Sequence, residues 1–437
     1  MKVLNLINIK NNDVKLKRKY NKESFMLYTW FSLFFILPFV RFMLTRVGLE
    51  TGGLRESIIL IISSIPLIFF FVNIKKIRIK KYLWFFVLLL TIICLMIISV
   101  ILNPELYEFY IRKSYGLDRI LRPDSAIYVA LFISLVDDNE KVLNILIKFA
   151  IFYFLYLILI DLIPTLNRGY WIDIGPDGRE LKLDYNLSFG YNLTFPCIVF
   201  IYNLFRRNKK VYIIPAFISA YLILIYGNRG AMLVVILYVF LIILQSLKKM
   251  KLDKKVLIIG TLIVALILFQ KYYDKLLLFL IRIANAYHID SRSLRMMISG
   301  NFAENNGRDV IWSAVIDAIK SKPLLGYGIL GDRPIVSPIH YVGYSHNLFL
   351  EIIISIGITG YLIISRLLFE SFNMIFRCND KKSNDLFIIL FAVSSQLLIS
   401  MSFWYVWEFW AAIAVCANYK RSIKNESTFI QNNGDVE

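Results

Sequence analysis

Two residues of this sequence have the type and the neighbours that chemistry on a charged, hydroxyl-bearing substrate would require. His346 precedes Asn347 at the start of a long apolar run, where a neutral imidazole is suited to accept a proton from a hydroxyl group. Arg229 lies between Asn228 and Gly230, and a small neighbour leaves room for the guanidinium to bind a phosphate through two hydrogen bonds. The alternatives are structural: a histidine that only caps the next helix, and an arginine that only extends to a membrane surface.

Three further residues are weaker candidates. Arg308 begins an amphipathic helix predicted over 308–320, and because the start of a helix disfavours a cation, an arginine there suggests a nearby anion, with a solvated helix start as the alternative. Asn347 could orient the ring of His346 or cap the helix that follows. Glu351 is an acid within an apolar run, which makes it a functional candidate, although a structural partner would explain it equally well.

The apolar run after His346 is predicted to form one continuous helix. With about 100° between successive residues, His346, Gly357 and Gly360 share one face of that helix. Two glycines one turn apart allow a neighbouring backbone to approach closely. We therefore expect His346 at a wet opening above a tight helix crossing, with Gly357 and Gly360 as the packing residues.

The composition indicates a polytopic membrane protein. Hydrophobic residues make up 58% of the 437 residues, and the mean hydropathy of +0.62 is far above that of a soluble domain. A net charge of +19 would suggest a nucleic-acid partner for a soluble chain, but the lysines and arginines cluster in short loops, so we expect no nucleic-acid partner. Runs of about 17–25 mainly apolar residues predict an all-α fold of about twelve transmembrane helices. The predicted spans are Phe25–Leu44, Ser57–Asn73, Tyr82–Leu102, Ile120–Val136, Val142–Ile163, Phe189–Phe205, Val211–Tyr226, Arg229–Leu247, Val256–Gln270, Leu348–Phe372, Leu386–Phe403 and Trp404–Tyr419.

The basic loops set the predicted orientation. With the amino terminus in the cytoplasm, every strongly basic short loop and the carboxyl terminus fall on the cytoplasmic side. Two segments are too long to be simple connections and are placed outside, namely 164–188 and 271–344. We expect Leu276–Ala286 to lie at the membrane interface, the tail from Asn425 to lack structure, and a cysteine at Ser291 to be labelled from outside. The chain divides into a cytoplasmic segment 1–24, helices 1–9 over 25–270, the external loop 271–344, helices 10–12 over 345–419 and a cytoplasmic tail 420–437.

Metal and disulfide chemistry are not indicated. Three of the four cysteines fall in apolar runs and one in a basic loop, which suits neither a disulfide framework nor a metal site. The three histidines are equally scattered, which argues against zinc, and His288 and His340 are interpreted as loop residues. We therefore expect no metal and no cofactor.

Together the motifs resemble those of the O-antigen polymerase and O-antigen ligase superfamily. They are Asn-Arg-Gly-Ala at 228–231, Gly-Arg-x-x-Ile-Trp at 307–312, Pro-Leu-Leu-Gly-Tyr-Gly at 323–328, and His-Asn, nine residues, Gly-x-x-Gly at 346–360. The resemblance implies an inverting, metal-independent glycosyltransferase of the C-type, which takes a glycan from undecaprenyl diphosphate on the outer face of the inner (cytoplasmic) membrane. It also implies that Arg229 and Arg308 bind the diphosphate and that His346 is the general base, while Asn228 stands where many members have serine.

The resemblance leaves three functions open. We favour a polymerase of capsular, exopolysaccharide or O-antigen repeat units, because the segments 326–333 and 344–351 look most like polysaccharide polymerases. The Ile, Lys and Asn bias also suggests a source that need not have an outer membrane. The alternatives are a ligase that transfers glycan to lipid A core and a transporter of lipid-linked oligosaccharide.

The implied partners are lipid-linked donor and acceptor, membrane lipids, a chain-length regulator and a flippase. We expect Arg229 and His346 to converge on one external cavity. The aromatic residues of the loop 167–185 would offer stacking surfaces for sugar rings.

Overall fold

The computed structural model describes most of the chain, in two compact units. The described residues are 2–49, 53–111, 116–174, 180–183, 186–248, 250–286, 291–299, 307–340 and 343–434. The first unit comprises 1–149, 311–390 and 401–437, and the second comprises 150–310 and 391–400. The α-helices are α1 (Lys2–Arg46), α2 (Gly53–Asn73), α3 (Leu83–Leu102), α4 (Tyr107–Tyr110), α5 (Asp118–Leu121), α6 (Tyr128–Leu135), α7 (Asn139–Tyr156), α8 (Ile163–Arg168), α9 (Leu187–Phe205), α10 (Ile213–Tyr226), α11 (Arg229–Lys248), α12 (Leu252–Ala286), α13 (Arg292–Ile298), α14 (Arg308–Ser321), α15 (Arg333–Val336), α16 (Leu348–Ile356), α17 (Ile358–Phe376), α18 (Lys381–Ser394) and α19 (Trp407–Gly434).

Within the described residues, five helical segments are long and apolar enough to cross a membrane. They are Lys22–Arg46, Gly53–Lys76, Leu83–Leu102, Asn139–Arg168 and Arg229–Lys248. A backbone inside lipid must satisfy its own hydrogen bonds, so a continuous helix is the structure expected for such runs. The prediction of a helical membrane protein is confirmed at this level. The number of twelve spans and the orientation of the termini stay predictions.

A small antiparallel hairpin interrupts the helical pattern between α8 and α9. Strands β1 (Trp171–Ile174) and β2 (Glu180–Leu183) pair with Trp171 opposite Leu183. Trp171 is buried, and its ring lies 4.8 Å from Phe189 and 5.5 Å from Tyr226, measured between ring centroids. This tryptophan therefore holds the hairpin against α9 and α10 and does not offer a sugar-stacking surface.

The predicted span Ile120–Val136 is wrong. The chain there forms two short helices, and α6 has only eight residues, about 12 Å of helix against a hydrocarbon layer of about 30 Å. The charges explain the break, because Arg122 donates to Asp124 at 3.1 Å and to Glu56 at 2.7 Å. An ion-paired arginine beside a proline ends the helix where the sequence hydropathy still favours one.

Short as it is, α6 lies at the centre of the first unit. All eight of its residues are buried, and it contacts α1 and α19. The carbonyls of Ile133 and Val136 at its end accept hydrogen bonds from the Asn418 side chain at 3.1 and 3.2 Å. The helix is thus buried by its neighbours, and its last carbonyls are satisfied by α19.

Two predicted boundaries also differ from the structure. Helix α12 continues without a break through Lys271 to Ala286, so the expected interfacial patch is its last part. There Leu277 and Leu280 are buried in a cluster with Ile225 of α10, because one apolar stripe continues past the first charged residues. The carboxyl-terminal tail is not structureless, since α19 continues to Gly434.

The predicted external position of the segment after α12 can be tested by cysteine labelling. Ser291 is a poor site, because it is buried and its hydroxyl donates to the Ile225 carbonyl at 2.5 Å, whereas Ser299 is exposed. In a cysteine-free background, Ser299→Cys should react with an impermeant maleimide in intact cells, and the control Lys76→Cys, in a predicted cytoplasmic loop, should react only after permeabilisation. The reverse pattern would refute the orientation.

Candidate functional site

The helix predicted to carry His346 and both motif glycines is broken in two. Helix α16 ends at Ile356, and Gly357, with φ of 60° and ψ of −137°, connects it to α17. His346 lies before α16, with φ of 53°, and is not part of a helix. The prediction that His346, Gly357 and Gly360 share one helix face is therefore wrong, because glycine at 357 adopts a conformation that stops the helix.

The backbone that approaches Gly357 belongs to a loop and not to a helix. A Cβ atom at Gly357 would overlap the carbonyl of Leu324, and one at Gly360 would lie 3.0 Å from the Cα of Ile353. The Tyr327 and Gly328 amides, in the same loop as Leu324, donate to the last carbonyls of α16, at 2.7 Å to Ile354 and 2.9 Å to Ser355. Two of the four sequence motifs are thus hydrogen-bonded to each other.

The same loop is held from the amino-terminal part of the chain. The amide of Ile329 donates to the hydroxyl of Ser99 at 2.9 Å, and a Cβ atom at Gly328 would overlap that serine. The carbonyl of Tyr327 accepts from Asn103 at 3.3 Å and from the hydroxyl of Tyr110 at 3.2 Å. The end of α3 therefore positions this loop. No motif in the amino-terminal part of the sequence had predicted that role for α3.

Helix α14 confirms the predicted amphipathic helix and packs against α16. It begins at Arg308 and ends at Ser321, close to the predicted 308–320. Its residues Ile311 and Val315 are buried with Ile354 of α16 in one apolar cluster. The apolar face of α14 thus packs against α16. Because the loop begins where α14 ends, this packing also fixes α16 relative to the loop.

A buried ionic cluster lies directly after this loop. Arg333 donates through Nη1 to both carboxylate oxygens of Asp332 at 2.8 Å, and through Nη2 to Glu351 Oε1 at 3.2 Å and Ser402 Oγ at 3.1 Å. The side chains of Asp332, Arg333 and Glu351 are 0%, 6% and 1% exposed. Burial disfavours the charge of Arg333, but Asp332 and Glu351 more than offset this, and the pKa of Arg333 is raised. Glu351 therefore has the structural partner that the sequence left open.

His346 lies beside this cluster and is 8% exposed. Its ring lies 4.1 Å from the ring of Tyr344 and 6.1 Å from that of His340, measured between centroids. The side-chain oxygen of Asn347 accepts from the amides of Phe349 at 3.0 Å and Leu350 at 3.2 Å. Asn347 thus caps α16, and the histidine stands just before the capped helix end.

In the second unit, Arg229 is the first residue of α11. The side chain of Asn228 accepts from the Ala231 amide at 2.9 Å and so caps this helix. The turn before it is braced by two serines, because Ser291 and Ser293 donate to the carbonyls of Ile225 and Gly227. Arg229 is therefore held on a joint whose free backbone groups are satisfied.

Tyr191 of α9 lies against the same joint. A Cβ atom at Gly230 would overlap the Tyr191 hydroxyl, so this glycine makes the space that the hydroxyl occupies. The hydroxyl hydrogen-bonds to the side chain of Asn228 and lies within electrostatic range of both Arg229 and Arg308. Both predicted arginines therefore act electrostatically on one hydroxyl group.

This arrangement is suited to an anion. Arg229 and Arg308 are the first residues of α11 and α14, and the start of a helix carries partial positive charge. Two cations within electrostatic range of one hydroxyl, each at the start of a helix, raise the local positive potential, which a phosphate group would lower. The geometry therefore favours binding of a phosphorylated ligand in the second unit.

The predicted residues divide between the units. Arg229 and Arg308 belong to the second unit, and His346, Asn347 and Glu351 belong to the first. His288 lies outside the described residues. In the part of the chain that the structure describes, no group of three or more His, Cys, Asp or Glu side chains could hold a metal ion.

Sequence reasoning missed three residues of these sites, namely Tyr191, Arg333 and Tyr344. Tyr191 lies within an apolar run that reads as an ordinary span. Arg333 follows a glycine-rich turn and could not be paired with Glu351, eighteen positions later, without the fold. The only local signal was Gly230, a small residue where a neighbouring side chain could enter.

The backbone conformation at the helix break predicts that a side chain at position 357 destabilises the protein. Gly357→Ala should destabilise the protein by about 1–3 kcal/mol through its backbone conformation alone, with further loss from overlap with Leu324. Thermal unfolding of the purified protein in detergent measures this as a lowered midpoint.

The control is Gly260→Ala in α12. An added Cβ atom there meets nothing within 4 Å, and alanine favours a helix by about 1 kcal/mol. Its midpoint should be unchanged or raised. Equal midpoints for both variants would contradict the constraint at Gly357.

Comparison with known proteins bears on the second half of the chain. Residues 214–365 of the 437 match a family model described as O-antigen ligase. The match includes Arg229, Arg308 and His346 and excludes Tyr191. No curated protein matches the chain. Over residues 214–365, the resemblance to the O-antigen ligase and polymerase superfamily is thereby confirmed.

Proposed function

We propose that this chain, a member of the O-antigen ligase and polymerase superfamily by its residues 214–365, polymerises lipid-linked oligosaccharide repeat units on the outer face of the cytoplasmic membrane. The donor would be a glycan on undecaprenyl diphosphate, and the reaction would invert the anomeric centre without a metal. The observation that carries the proposal is that Arg229 and Arg308, the first residues of two helices, both lie within electrostatic range of the Tyr191 hydroxyl.

The donor side of the proposed reaction is electrostatic. As the glycosidic bond breaks, negative charge builds on the leaving diphosphate, and this charge needs neutralisation more than it needs a proton. Arg229 and Arg308 supply two guanidinium groups, and each can make two parallel hydrogen bonds to phosphate oxygens. The hydroxyl of Tyr191 can donate a further hydrogen bond to the same anion.

On the acceptor side of the proposed reaction, His346 is the general base. The acceptor hydroxyl attacks the anomeric carbon from the face opposite the diphosphate, and a new glycosidic bond forms as the bond to the diphosphate breaks. The imidazole of His346 takes the hydroxyl proton during the attack. Undecaprenyl diphosphate leaves as the anion, so charge and protons balance.

The alternative functions differ in the acceptor or in the need for a gradient. Purified protein should extend lipid-linked repeat units into a ladder when no other acceptor is present. Conjugates that form only with lipid A core would instead identify a ligase. The absence of product without a transmembrane gradient, together with movement of the intact lipid-linked glycan, would identify a transporter.

The role of Arg229 can be tested with a charge-preserving change. Arg229→Lys keeps the charge but loses the planar fork, which should cost about 2–4 kcal/mol, or roughly 30- to 1000-fold in turnover at saturating donor. Arg282→Lys, at an exposed position of α12, is the matched control and should retain the parent rate. Turnover of Arg229→Lys within a few-fold of the parent would exclude the diphosphate role.

The role of His346 can be tested in the same assay. His346→Ala should lower turnover by about 10²–10⁴-fold and leave single lipid-linked repeats to accumulate, because a positioned base contributes that much. His340→Ala is the control for the neighbouring ring. Normal polymer length with His346→Ala would leave this histidine without a chemical role.

A further inference from the structure

We propose that Arg333 and Tyr344 are positioning residues that hold the imidazole of His346 in its working orientation. This inference rests on the proposed function, because it assumes that His346 is the base. Neither residue would touch the substrate. Both would act through the ring and the backbone of His346.

The first link runs through side chains. The guanidinium carbon of Arg333 lies 5.3 Å from the ring centroid of Tyr344, which suits a cation on an aromatic face. The Tyr344 ring lies in turn 4.1 Å from the His346 ring, at an interplanar angle of 35°. The far end of Tyr344 is fixed as well, because its hydroxyl accepts from the Met401 amide at 3.2 Å. The ring against His346 is therefore held on one face by Arg333 and at its tip by the backbone.

The second link runs through the backbone. Asp332, which Arg333 holds by two hydrogen bonds, accepts from the Ser345 amide at 2.8 Å. The Ser345 carbonyl accepts from the Trp312 indole at 3.0 Å. The residue before His346 is thus held through both its amide and its carbonyl, which supports the left-handed conformation of His346 at φ of 53°. Histidine adopts that conformation more readily than most residues, but the surroundings must stabilise it.

Stability alone is a poor reason for such a cluster. One arginine, two carboxylates and a serine hydroxyl are buried together, and the desolvation of such groups commonly cancels their attraction. Apolar side chains of the same volume would serve a core as well. What the charged cluster adds is direction, since each hydrogen bond fixes an angle as well as a distance. Two contacts of this cluster, with Tyr344 and with Ser345, lead to His346.

The test compares four variants in the repeat-unit polymerisation assay. Tyr344→Leu removes the ring, Tyr344→Phe keeps it, and Arg333→Lys keeps the charge but loses the planar fork. Arg122→Lys is the matched control, since Arg122 is also held by two carboxylates, Glu56 and Asp124, in the same unit. Each variant is measured for turnover at saturating substrate, for KM, for amount in the membrane and for unfolding midpoint.

We expect Tyr344→Leu and Arg333→Lys to lower turnover about 10- to 100-fold with KM nearly unchanged, because a displaced base affects only the transition state. Tyr344→Phe should recover most of the turnover that Tyr344→Leu loses. Arg122→Lys should keep the parent turnover.

Two results would overturn the proposal. One is parent-like turnover in Tyr344→Leu and Arg333→Lys while His346→Ala is inactive. His346 would then act as the base without support from Arg333 and Tyr344. The other is a loss of activity that follows the loss of folded protein in both variants, which makes the cluster purely structural. Full activity of His346→Ala would instead refute the proposed base itself, so the two failures are distinguishable.

Discussion

The interruption of one helix at Gly357 is the constraint on which much of the first unit depends. A helix that ends in apolar surroundings leaves carbonyl groups that are costly unless a donor reaches them. Here the donors are the amides of Tyr327 and Gly328, so the loop that carries them must lie against the end of α16. Ser99 and Asn103 then hold that loop, and Asp332 and Arg333 follow it directly in the chain. A single break thereby determines where the buried charges lie.

The second unit solves a related problem with different groups. The turn between α10 and α11 also leaves backbone carbonyls free, and serines from the segment after α12 satisfy them. The start of α11 is then open toward Tyr191 because residue 230 has no side chain. In both units, the residues with proposed chemistry follow backbone groups that another segment bonds, namely those of Ser345 before His346 and of Gly227 before Arg229.

The fold was predictable wherever hydropathy alone decides the structure. Long apolar runs such as Leu83–Leu102 and Arg229–Lys248 became helices close to their predicted limits, because lipid leaves the backbone no other partner. The failures occurred where a few polar residues outweigh hydropathy. Arg122 and its two carboxylates end a predicted span, Gly357 divides another, and the charged residues after Gln270 fail to end α12. A hydropathy window averages over such single residues.

The candidate site residues were likewise predictable only in part. Arg229, Arg308 and His346 could be named from short motifs, because those motifs lie on local structure such as helix starts and caps. The residues around them could not be predicted, because Tyr191, Arg333 and Tyr344 make their contacts with other segments of the chain. A spacing pattern describes neighbours along one helix, and these contacts join different segments.

The division of the helix also explains the nine residues that separate Asn347 from Gly357. They are the whole of α16, from the residue after its cap to the residue before its break. An inserted residue would turn the end of this helix by about 100° and carry the carbonyls of Ile354 and Ser355 away from the loop amides. The spacing of the motif therefore sets the length of α16. Apolar residues within α16 can be exchanged for others of similar volume, but the number of residues is set by the distance between a cap and a hydrogen-bonded end.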